Sequence, residues 1–139
     1  MAEQTEAVRE PVLMTLSAPA RRSVIDGLVR DIGMAGPAAP ILDLDARDAE
    51  IADFLAGIAH ANSGFVARTS SGASALAIIA GTAAALCGED IRSALNNPDV
   101  AFLNALNPPA VEAVRSVLLA IETEATTQVA AALSVLTGS

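Results

Sequence analysis

From Thr69 to Gly88 the chain reads TSSGASALAIIAGTAAALCG, twenty residues without a charge. A helix built from this stretch is apolar nearly all round and must be covered on every side. Gly72, Ala73, Ala77, Ala80, Gly81, Ala84 and Ala85 give it a small-residue surface that lets neighbouring backbones come close, while Leu76, Ile79 and Leu86 fill the gaps. Two other roles are weaker. As a membrane span, the apolar part from Ala73 to Cys87 falls short of the roughly twenty residues a hydrocarbon core requires, and no basic flank would orient it. As a phosphate loop, Ser70, Ser71 and Gly72 would present free amides at a helix start with Arg68 close by, where the dipole favours an anion. The glycine spacing, the lysine and the preceding strand of the known phosphate motifs are missing.

What covers such a helix has to come from a chain of 139 residues, one domain in length. It is 53% hydrophobic and rich in alanine, with Phe54, Phe65 and Phe102 as its aromatics, so the core is expected to be aliphatic and closely spaced. Sixteen acidic residues against eight arginines, with no lysine, give a net charge of −8. That balance argues against nucleic acid, which needs basic side chains concentrated on one surface; the adjacent pair Arg21-Arg22 is isolated. It equally disfavours an anionic membrane surface. Cys87 is the single cysteine, which excludes an intramolecular disulfide and a cysteine-based zinc site and fits a reducing compartment. The opening MAEQTEAVREP lacks a basic start followed by an apolar run, so a cytoplasmic location is expected.

Punctuation along the chain suggests helices throughout. Ser17 ahead of Ala18-Pro19, then Val24, Ile25, Leu28 and Ile32 at helical spacing with Gly33 as a stop, predict a helix over 18–32. The GMAGPAAP of 33–40 is a connector. Carboxylates open a second helix from about 46 to at least 61, with Ile51, Phe54, Leu55 and Ile58 on one face; Phe65 on the same stripe favours its continuation. Two short helices follow the long apolar one. Asn97-Pro98 and Asn107-Pro108 each pair a capping side chain with a first-turn proline. From the second of these, Val111, Val114, Leu118, Ile121, Ala125, Val129, Ala132 and Leu136 predict a helix of roughly 28 residues, about 42 Å long. Period-two alternation is not sustained anywhere, EPVLMTL being the nearest approach. The expected fold is therefore all-α: a helical bundle of about four main helices plus two short ones over 17–139, with an N-terminal arm over 1–16.

Catalysis and metals find little support in the sequence. His60 is the one histidine, and Ser63 lies near it without a strained nucleophile motif. Asp43-x-Asp45 begins like a calcium loop, but Arg47, Asp48 and Phe54 then stand where a ligand, glycine and glutamate are required. Glu122 and Glu124 lack the histidine partners of a carboxylate metal bundle. No metal, cofactor or catalytic residue is expected. Varied hydrogen-bonding groups concentrate in one string, from which His60, Asn62, Arg68, Ser70, Ser71 and Gly72 are the candidate ligand-binding residues.

These observations predict a non-enzymatic, acidic, alanine-rich helical protein that acts by association, as a self-assembling structural homo-oligomer or a binding subunit. Ala73, Ala77, Ala80, Gly81, Ala84, Leu118, Ile121 and Val129 would form the interface. The alternative is a regulatory domain binding a small ligand or anion at the Arg68–Gly72 helix start. Neither nucleic acid nor stable membrane insertion is expected.

Overall fold

A computed structural model describes residues 23–33, 39–61 and 63–136. Four strands, β1 (Val29–Asp31), β2 (Ile41–Asp43), β3 (Phe65–Arg68) and β4 (Leu118–Thr123), form one sheet in the order β1-β4-β3-β2. Every neighbouring pair is parallel. Among the described residues the helices are α1 (Asp48–Ala59), α2 (Gly72–Cys87), α3 (Ile91–Asn96), α4 (Val100–Asn104), α5 (Pro108–Val117) and α6 (Thr126–Leu133). The protein is thus an α/β fold, and the all-α helical bundle is overturned by its parallel sheet.

The corrections fall on three segments. Within 18–32, Val24 to Leu28 are turns and Val29–Asp31 is an edge strand; residues 18–22, like the 1–16 arm and 34–38 of the connector, lie outside the described residues. The helix expected to carry on through Phe65 ends at Ala59, and Phe65 opens β3. The long C-terminal helix is α5, β4 and α6, with Leu118 already extended (φ −90°, ψ 96°) directly after Val117. The physical reason is common to β3 and β4. A parallel strand covered on both faces needs a continuous apolar run instead of alternation, and a short run of that kind satisfies helical spacing equally well.

Other elements form where the sequence places them. Ser71 caps α2, its Oγ accepting from the Ser74 amide at 3.2 Å. Gly88 closes the helix in the left-handed region (φ 74°), and the Glu89 amide donates back to the Ala84 carbonyl at 2.9 Å. Asn107 Oδ1 accepts from the Ala110 amide ahead of α5. At the start of α4 the cap is Asp99, one residue beyond Pro98.

What covers α2 is this chain itself. It packs against α1, α3, α5, α6 and β4, and an unbroken run from Ile78 to Ala84 is buried. A Cβ on Gly81 would stand 2.7 Å from Leu95 Cδ2 and 3.0 Å from Leu55 Cδ1, so this glycine lets α3 and α1 approach. On the sheet, Phe65, Ala67, Leu118 and Ile121 join the core with Leu28, Leu55, Ile79, Val129 and Leu133. Phe54 meets Phe65 edge to face at 5.2 Å. Among the described residues no helix is long and apolar enough to cross a membrane.

Candidate functional site

In an open parallel sheet every strand points its carboxyl end at one edge, and the helices that follow begin there. Here that edge collects the ends of β3 and β4 and the starts of α2 and α6. Both turns are made the same way. Thr69 Oγ1 accepts from the Ser71 amide at 3.0 Å, and Thr123 Oγ1 accepts from the Ala125 amide at 2.9 Å. Each buried threonine folds the backbone two residues on, steering the chain from strand into helix.

One step before each threonine stands a charge. Arg68 ends β3 and Glu122 is its partner in register on β4; Arg68 Nη2 donates to Glu122 Oε1 at 2.7 Å. The register continues outward, setting Arg30 beside Glu122 and Asp43 beside Arg68. Four strands therefore carry alternating charges across one row, Arg30, Glu122, Arg68, Asp43. The Glu122 side chain is 2% exposed and that of Arg68 is 37% exposed, so Arg68 is the member of the pair that reaches solvent. Its Nε is buried without a hydrogen-bond partner among the described residues.

Beside this pair α2 begins. Ser71 donates its amide to Thr69, and Ser74 and Ala75 donate theirs to Ser71. Gly72 and Ala73 are left as first-turn amides without an acceptor among the described residues. Ser70, Ser71 and Ala73 are exposed. Next to them opens a cleft of about 200 Å³ between the first turns of α1 and α2, lined by Leu44, Asp48, Ile51, Ala73, Ser74 and Ala77 among others. Leu44 ties it to β3, its amide donating to the Arg68 carbonyl at 3.0 Å.

Of the candidate ligand-binding residues, Arg68, Ser70, Ser71 and Gly72 are brought together at this edge. His60 is not among them: it caps the carboxyl end of α1, exposed, with β3 running between it and Arg68. Asn62 lies outside the described residues. Of the candidate interface residues, Ala80, Gly81, Ala84, Leu118, Ile121 and Val129 are buried within the chain's own core; Ala77 is half-buried and Ala73 exposed. Asp43 turns its Oδ1 to the Asp45 amide at 2.9 Å, a local turn that accounts for the Asp-x-Asp pair.

Sequence reasoning missed the pairing of Arg68 with Glu122 and the two threonines. The signal is faint: VARTSS and AIETEA each put a charge and then a threonine after an apolar run. Compared with protein-family models, curated proteins and solved structures, the chain matches none.

Proposed function

We propose that this is a small-ligand-binding domain, without a reaction of its own, that takes an anionic metabolite at the carboxyl edge of its sheet. The observation that carries this is the convergence of the Arg68 guanidinium, the unengaged Gly72 and Ala73 amides and the exposed Ser70 and Ser71 hydroxyls beside a cleft. An anion at the start of a sixteen-residue helix is favoured by the helix dipole and by amides already aimed outward. Asp48 on the cleft's other wall would accept from a hydroxyl on the same molecule, so a hydroxylated phosphate or carboxylate suits the site better than a bare anion. The small-residue surface that suggested self-association is largely consumed inside the chain, which favours the ligand reading over the oligomer.

Thermal unfolding in inorganic phosphate and in glycerol phosphate tests this. A ligand at about tenfold above its Kd is expected to raise Tm by about 3–5 °C. Arg68→Gln and Ser70→Ala should reduce the rise, and Asp48→Asn should remove the advantage of glycerol phosphate over phosphate. No rise with either compound, or a rise that survives Arg68→Gln unchanged, would overturn the proposal.

A further inference from the structure

Away from the sheet edge, a cleft of about 370 Å³ lies where α3 and α4 cross the second half of α2. Its floor is apolar: Ala80 and Ala84 of α2 and Leu103 of α4 are all buried. One wall is Phe102, 43% exposed although its ring is one of three aromatics in the chain. A large ring left in water beside an apolar trough is a feature of protein contact surfaces, in which phenylalanine is enriched.

Among the described residues, every charged side chain lining this trough is acidic. Glu89, Asp90 and Asp99 stand on its rim, and none is ion-paired among the described residues. Two of them are held in place. Asp90 Oδ1 accepts from the Ser93 amide and Asp99 Oδ1 from the Phe102 amide, each as a helix cap. Two of the three carboxylates are thus fixed beside an apolar floor, and among the described residues no cation pairs with any of them.

We propose that this trough docks a segment of a partner protein that sets an apolar anchor between arginines or lysines. The anchor sits on Ala80, Ala84 and Leu103 against the Phe102 ring, and the flanking cations meet Glu89, Asp90 and Asp99. Complementary charge selects the partner and speeds its arrival, while the apolar contact holds it. A net charge of −8 works against a second copy of this chain as the occupant.

The test is selection from a displayed library of random peptides of about 15 residues, followed by NMR titration of the strongest. Enriched sequences are expected to pair an apolar or aromatic residue with flanking Arg or Lys, and to perturb the amides of Ala84, Ser93 and Leu103. Phe102→Ala should weaken binding about tenfold, and salt should weaken it further. The double variant Glu89→Gln/Asp99→Asn keeps the cap of α4, since asparagine caps as well as aspartate, and should lose the preference for basic flanks. Circular dichroism of each variant separates lost binding from lost folding. Neutral or acidic enriched sequences, perturbations elsewhere, equal enrichment on the double variant, or a dimer of this chain broken by Phe102→Ala would each overturn the proposal.

Discussion

Arg68 and Glu122 carry more of the candidate site than any other pair, and they differ in what they lose if separated. Glu122 has been taken almost wholly out of water, so its carboxylate depends on its partners; Arg68 keeps part of its side chain solvated. Removing the cation therefore costs more than the surface value of an ion pair. Arg68→Met is expected to destabilise the fold by about 1–3 kcal/mol, read as a lower urea midpoint at unchanged slope. Glu122→Gln still offers an oxygen to Nη2 and should cost less. Equal loss in both, or none in Arg68→Met, would mean that the pair does not hold the two strand ends together. Arg68 was visible in the sequence as a cation near a helix start. Glu122 was not, because nothing in the letters says that residues 54 apart lie side by side.

At the scale of elements, what was legible were the helices whose ends carry their own punctuation. Ser71 and Gly88 bracket α2, and Asn107-Pro108 opens α5, because capping is local chemistry between residues three or four apart. What could not be read were β3 and β4. FVAR and LLAIET are short apolar runs whose strand character comes from pairing with each other and with the edge strands, and their spacing merges with the helical stripes on either side. Gly72 shows how closely the hidden packing is fitted. A Cβ there would collide with that of Ala132, so α2 and α6 meet at this glycine. Gly72→Ala is expected to cost about 1–3 kcal/mol through overpacking, despite alanine's better helix propensity. Ala132→Gly, which opens the same space, should restore part of the loss in the double variant. If the two substitutions are simply additive in chemical denaturation, the helices do not touch there.

For the whole molecule, α2 is the part on which the others depend. An apolar helix with no solvated face could have been covered by a second chain, but α1, α3, α5, α6 and the sheet close around it, and the protein needs no partner copy to bury it. This arrangement predicts a gradient of local stability. Amides that open only when α2 is uncovered must wait for global unfolding, whereas α3 and α4, six and five residues long, each bury one side chain and can open alone. In native-state hydrogen exchange the slowest amides should be those of Ile78 to Ala84 in α2 and Ala120 to Glu122 in β4, exchanging at the free energy of global unfolding. Those of α3 and α4 should exchange at least about tenfold faster, equivalent to about 1.4 kcal/mol less protection. The same gradient leaves the acidic trough walled by the more adaptable elements and the sheet-edge site built on the rigid ones. Protection in α3 and α4 equal to that of α2 would mean that the molecule opens as one unit, and the trough would then lack the freedom to fit a docked segment.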